Sequence, residues 1–178
     1  NSAALEPIQV MFYFLPEHYW AAGMDIQALL RYFIAGFFMY LFVRSFGLSF
    51  PSALFAGLAF MLSSYFVAFG NHPQLKPEAL LPLTMYTTER VIRRPSFANV
   101  VFDASAIAWI LVASFPESGF LALALAKLWH LYRILWRSYD ERFTWKIVWP
   151  LFGSLILVVG IGLALSAFFF FPLLDHIR

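Results

Sequence analysis

Long apolar runs alternate with short polar interruptions along the whole chain. Six runs, roughly Met24–Val43, Pro51–Gly70, Pro77–Ile92, Phe97–Phe115, Glu117–Trp136 and Trp145–Phe171, reach or approach the about 20 helical residues that cross a hydrocarbon core of about 30 Å. The pattern predicts an all-α membrane protein with about six transmembrane helices. The third run is the shortest; it contains Pro82 and ends in Thr87-Thr88-Glu89-Arg90, which suits a short or half-buried helix. Ahead of the first run, Pro7 and Pro16 interrupt a segment rich in aromatic residues (Phe12, Tyr13, Phe14, Tyr19, Trp20). Such rings favour the headgroup level, so an interfacial or re-entrant segment is expected there. The chain divides into that outer segment, 1–23, and a multi-helix transmembrane domain, 24–178, with no internal repeat.

Composition agrees with the pattern. At 62% hydrophobic and 12% charged residues, the chain carries more apolar surface than one soluble core of this size could hide. The lipid bilayer is the expected partner, and no nucleic acid is. Cysteine is absent, which removes disulfides and thiolate metal sites. The chain opens on Asn1-Ser2-Ala3 and stops just after an apolar run, so it reads as part of a longer protein, without a signal peptide in this stretch.

Charge then sets an orientation. If the loops alternate, Arg44, Arg90, Arg93, Arg94, Arg133, Arg137, Arg142 and Lys146 fall on one side, eight of the twelve basic residues. Basic loops favour the cytoplasm. The opposite side receives Glu6, Glu17, Asp25, Glu78, Glu117 and Asp175, together with His18, His72 and His176. Carboxylates and histidines near a bilayer surface suit general acid/base work or a divalent ion. Acids are also simply tolerated in outer loops. Spacing adds nothing: Glu17-His18 is adjacent, and no HExxH motif or Gly-rich phosphate loop occurs.

Two charges lie far from either surface. Asp103 is 13 residues before Pro116 and Lys127 is 11 after it, which at about 1.5 Å per residue gives depths of about 20 and 16 Å. A lone charge at mid-bilayer costs about 2.5–3.5 kcal/mol on insertion scales, so the two are expected to pair and to pin the hairpin between the fourth and fifth spans. His130, near Arg133 and Arg137, is expected at the interface. Gly153, Gly160 and Gly162 are expected to permit close helix packing.

The order of features resembles a known family. An outer segment "EPIQVMFYFLP" (6–16) precedes "YLFVRSFGLS" (40–49), "ALFAGLAFMLSSY" (53–65), an outer loop with His-Pro, "LLPLTMYTTER" (80–90) and a hairpin at "FPES" (115–118). This succession is similar to the middle of bacterial YfhO-like membrane proteins of the GT-C superfamily of multi-spanning glycosyltransferases. The resemblance implies a GT-C-like fold in the bacterial cytoplasmic membrane. It implies an extracytoplasmic active site and a sugar donor on polyprenyl phosphate, with a cell-envelope glycan or lipid as acceptor. It also places a catalytic Asp in a first outer loop that this chain is expected to lack. Where the family carries Gly-x-Pro-Glu/Gln, Ser114 replaces the Gly while Pro116 and Glu117 are retained.

For such a donor, Arg31 and Lys76 are the outer-side cations available to the phosphate, and Glu6, Glu17, His72, Glu78 and Glu117 could position donor or acceptor. A divalent metal ion stays open as a cofactor. Arg31 also reads as an anchor snorkelling to the interface, and Lys76 as a solvated loop cation. A transporter or flippase domain for a lipid or polyprenyl-linked substrate is the alternative, since it too would carry outer polar groups and intramembrane charge; a non-catalytic scaffold is a third.

Orientation is testable directly, because no native thiol interferes. Single cysteines placed at Ser45, Ser96 and Ser138 are expected to react with membrane-impermeant reagents only from the cytoplasmic side. Labelling of Ser138→Cys from the outside alone would invert the scheme.

Overall fold

The computed structural model describes the backbone of residues 6–70, 72, 74–113, 116–140 and 145–175, and among these every regular element is a helix. In chain order they are α1 (Pro7–Phe12), a 3-10 turn (Glu17–Tyr19), α2 (Trp20–Ser45), α3 (Phe50–Met61), α4 (Ser64–Phe69), α5 (Leu75–Ala79), α6 (Leu81–Arg93), α7 (Phe97–Val112), α8 (Pro116–Asp140) and α9 (Trp145–Asp175). Local chemistry explains several boundaries. Ser49 caps α3 by accepting from the Ser52 amide, with Pro51 in the first turn, and Ser96 caps α7 by accepting from the Asn99 amide. Gly47, at φ 79°, turns the chain between α2 and α3 in a conformation that only glycine adopts without cost.

Among the described residues three segments are long and apolar enough to cross a membrane: Glu17–Ser45, Phe50–Phe69 and Trp149–Ala167. The first begins ahead of Met24, and the second is broken near Ser63 into α3 and α4. The run expected over 77–92 forms two helices, α5 of 5 residues and α6 of 13. Pro82 and the threonines of α6 explain why this stretch is not one long apolar rod.

Burial is distributed as a bilayer demands and water would not. Large apolar side chains such as Leu29, Phe33, Phe55, Leu121, Leu128 and Ile156 are exposed, whereas Thr84, Thr87, Thr88, Glu89 and Asp103 are fully buried. The helix at the centre is α6, which packs against α2, α5, α7 and α8. In α8 the buried positions Ser118, Ala122, Ala126, His130 and Ile134 recur every fourth residue. That stripe turns one face of a long helix inward and leaves Leu121, Leu125, Leu128 and Tyr132 outside.

Peripheral helices join through small residues. A Cβ on Gly57 would lie 2.7 Å from the Gly36 carbonyl oxygen, so the α2–α3 crossing requires glycine. Gly162 holds α9 against α7 in the same way, where a Cβ would meet Ile107 Cγ2 at 2.8 Å. Close packing was expected of three glycines in α9; Gly153 and Gly160 instead have nothing among the described residues within 4 Å of an added Cβ.

Gly57→Val is therefore expected to destabilise by about 1–3 kcal/mol through overpacking against backbone that cannot yield. Gly153→Ala should be neutral or stabilising by up to about 1 kcal/mol, from helix propensity. Thermal unfolding of the two variants in detergent checks both; equal melting temperatures would show that the α2–α3 crossing is not as tight as described.

Candidate functional site

Glu6 is the organising residue of the end opposite the arginine-rich loops. It stands just ahead of α1 and is 1% exposed. A carboxylate buried to that degree needs cations, and two reach it: Arg31 Nη2 at 3.2 Å and Lys76 Nζ at 3.1 Å, both on Oε2. The same Arg31 nitrogen donates to Gln27 Oε1 at 3.2 Å, one turn earlier on α2. The buried Arg31 Nε has no hydrogen-bond partner among the described residues. The two basic residues expected to serve a phosphate thus already share one internal carboxylate. Between them they keep one unit of positive charge in excess over it.

In front of this triad opens a cavity of about 360 Å³ whose polar wall is Gln9, Asp25, Gln27, Arg31, His72 and Lys76. Helix α2 supplies Met24, Gln27, Ala28 and Arg31 at spacings of three and four, one face of a helix. Lys76 comes from α5. A second, almost wholly apolar hollow of about 230 Å³ shares Gln9, Met24 and Gln27 with the first and adds Tyr13 and Trp20.

Of the residues singled out in the sequence, Arg31, His72 and Lys76 line this cavity, with Glu6 behind them. Glu17, Glu78 and Glu117 do not line it. Glu17 is exposed on the 3-10 turn, Glu117 is exposed in the first turn of α8, and Glu78 is half-buried on α5 beside the Tyr65 hydroxyl. Asp25, Gln27 and Gln9 were not singled out as site residues; the signal for Gln27 was its position four residues before Arg31. Asp175 and His176 lie outside the described side chains. Among the described residues no three His, Asp or Glu side chains gather as ligands for a metal ion.

Deeper in the bundle, a second set of charges surrounds α6. Asp103 is fully buried. It accepts from Thr87 Oγ1 at 2.6 Å, from Thr88 Oγ1 at 3.2 Å on each oxygen, and from Lys127 Nζ at 3.1 Å. Lys127 Nζ also donates to Thr88 Oγ1 at 3.2 Å. The structure thus brings Asp103 and Lys127 together, and two threonines of α6 complete the carboxylate's shell. Towards the arginine-rich end, Glu89 is clamped by Arg133 through Nε at 3.0 Å and Nη2 at 2.8 Å, and by Arg93 Nε at 2.8 Å. This bidentate fork is the strong geometry for an arginine and a carboxylate.

His130 faces the interior of the bundle. It is fully buried, and neither ring nitrogen has a hydrogen-bond partner among the described residues. The stripe of buried positions in α8 turns it inward with Ala126 and Ile134, against protein rather than out to solvent.

Removing one member of a buried ion pair costs about 3–5 kcal/mol because the other charge is left unpaired. Asp103→Lys and Lys127→Asp are accordingly each expected to lower folded yield severely, and the double exchange to restore much of it. Size-exclusion profiles of the three variants in detergent provide the measurement; single variants that behave like the wild type would show that the pair does not hold the α7–α8 hairpin.

Comparisons of this chain with protein-family models, with curated proteins and with solved structures found no match.

Proposed function

We propose that the chain is the membrane domain of a GT-C glycosyltransferase that moves a sugar from a polyprenyl-phosphate carrier to a cell-envelope glycan or lipid. In this reading the six membrane-embedded segments are α2, α3–α4, α5–α6, α7, α8 and α9. The arginine-rich loops face the cytoplasm of a bacterium and the Glu6 cavity faces outward.

The observation that carries the proposal is the pairing of the two hollows. One has cationic donors at its base, buried Arg31 and half-buried Lys76, with an unshared guanidinium N–H on Arg31. The other is apolar and adjoins it through Met24 and Gln27. A lipid phosphate has the same two-part character: an anion that needs cations close by, and a hydrocarbon chain that needs an apolar trough. As the sugar leaves, negative charge grows on the phosphate, and fixed cations in a low-dielectric wall stabilise it best. Asp25 and His72, at the polar wall, are placed to orient the sugar or the acceptor hydroxyl. Glu6 acts as a positioning residue, since both of its cationic partners are held by it.

A second reading, a transporter or flippase for a lipid or polyprenyl-linked substrate, is favoured by the polar groups buried along α6. Intramembrane charge of this kind often marks a substrate or ion path. The two readings differ in product: one yields a new glycosidic bond, the other moves its lipid unchanged between leaflets.

In the full-length protein, Lys76→Gln is expected to raise the KM for a polyprenyl-phosphate sugar by about tenfold, the worth of one charge-assisted hydrogen bond. Lys76→Arg should recover most of the loss. Unchanged transfer by Lys76→Gln would remove the phosphate from this cavity. Lipid scrambling in reconstituted vesicles without any glycosidic product would favour the transporter.

A further inference from the structure

The arginine-rich end contains a groove of about 460 Å³ whose wall includes Arg44, Ser45, Arg90, Arg93, Arg94 and Asn99. Leu41 and Tyr86 supply its apolar part. Arg44 of α2 and Arg90, Arg93 and Arg94 at the end of α6 therefore line one hollow, and no carboxylate among the described residues is in its lining. The nearest acid with a contact to any of them is Glu89, which is fully buried behind Arg93 and is also gripped by Arg133. Arg44 spends Nη1 on the neutral carbonyl of Leu48 at 2.6 Å. Arg90 lies over the rings of Tyr86 and Phe102 at 5.8 and 5.9 Å. Among the described residues neither Arg90 nor Arg94 is paired with a carboxylate.

Ordinary tendencies account for part of this charge but not for its arrangement. Basic residues collect at cytoplasmic helix ends and reach water there, as these four exposed arginines do, yet that preference does not ask them to share one hollow. Helices α2 and α6 both end here, and each carbonyl terminus carries about half a negative charge. Together they balance about one guanidinium, which leaves most of the groove's charge without a counterpart. The frame is also fixed. Asn99 Nδ2 donates to the Arg94 carbonyl at 2.8 Å and to the Arg90 carbonyl at 3.5 Å, so α7 holds the end of α6 in place.

We infer that this groove binds the phosphate headgroup of an anionic lipid from the leaflet that surrounds it. Arginine offers a planar fork that matches a phosphate oxygen pair, and a concave cluster of such forks selects phosphate over a general negative surface. The volume suits a headgroup, within the range of about 300–1,000 Å³ for small-ligand sites. The surroundings suit the rest of the lipid: Leu48, Phe50, Phe97 and Phe102 are exposed near the same end of the bundle, where acyl chains would lie against them. Free phosphate shares the headgroup's chemistry without the chains, and the experiment separates the two. The inference is independent of any sugar donor at the opposite end.

The full chain is purified into nanodiscs of phosphatidylcholine with and without phosphatidylglycerol, and both the lipid retained on native mass spectrometry and the melting temperature are recorded. Wild type is expected to retain phosphatidylglycerol selectively and to melt higher in its presence. Arg90→Gln/Arg94→Gln is expected to lose about tenfold in retention, the loss of one or more charged contacts, while its melting temperature in phosphatidylcholine alone stays unchanged. Arg137→Gln, which removes a charge at the same end from a residue that does not line the groove, should retain phosphatidylglycerol like wild type. Should the glutamine pair fail to fold, Arg90→Lys/Arg94→Lys keeps the charge and removes the fork, and an intermediate loss is expected. Inorganic phosphate at millimolar concentration should raise the melting temperature weakly or not at all; a full effect with the same dependence on Arg90 and Arg94 would overturn the lipid as ligand in favour of a free phosphate. A loss in Arg137→Gln as large as that in Arg94→Gln alone, or equal retention of phosphatidylcholine, would reduce the groove to general surface charge and overturn the inference.

Discussion

A carboxylate enclosed by helices that face lipid must find its cation within the protein, and Glu6, Asp103 and Glu89 each do so across elements distant in sequence. Glu6 ties the segment before α1 to α2 and α5 through Arg31 and Lys76. Asp103 ties α7 to α6 and α8 through Thr87, Thr88 and Lys127. Glu89 ties α6 to α8 through Arg133. In water such pairs add little, because solvated charges lose as much hydration as they gain in attraction. In a bilayer the alternative is not hydration but hydrocarbon, so the same pairs become conditions for the fold rather than additions to it. The preference for burial of polar groups on α6 and exposure of Leu and Phe on α2, α3, α8 and α9 follows from that reversal of solvent.

Around this polar axis the outer helices are joined differently. Helix α3 meets α2, and α9 meets α7, at glycines whose missing Cβ atoms let backbones approach. Lipid is as apolar as the helices it surrounds and gives them little reason to associate, so dispersion and close fit must do so. The bundle thus has two kinds of joint, ionic at its centre and steric at its edge.

Much of this was legible in the sequence wherever a physical cost forced a unique answer. Asp103 and Lys127 sit at matched depths on either side of Pro116, and the insertion cost of each left pairing as the economical outcome; the structure places them 3.1 Å apart. What the sequence could not convey was partnership between residues whose depth it left open. Glu6 looked like an outer-loop acid because the segment around it is broken by prolines, yet it is buried against Arg31, 25 residues away. Thr87 and Thr88 looked like the polar end of a short helix and proved to be ligands of Asp103, since hydropathy reports how polar a residue is but not which side of a helix faces protein. The inward face of His130 was hidden for the same reason. Glu17 and Glu117 were grouped with the cavity by topology alone, and sharing an end of a bundle is a weaker condition than sharing a wall.

Helix α6 is only 13 residues long, about 20 Å at 1.5 Å per residue, and hollows open near both of its ends. Were both hollows filled with water in a bilayer, the path between them would be shorter than the about 30 Å of hydrocarbon around the bundle. A membrane potential would then fall more steeply along α6 than through the lipid beside it, at about 2.3 kcal/mol per elementary charge for each 100 mV crossed. Asp103, Lys127, Glu89 and Arg133 are strung along that steep stretch, so a rearrangement that moved any one of them a few ångströms along the axis would be driven or resisted by voltage.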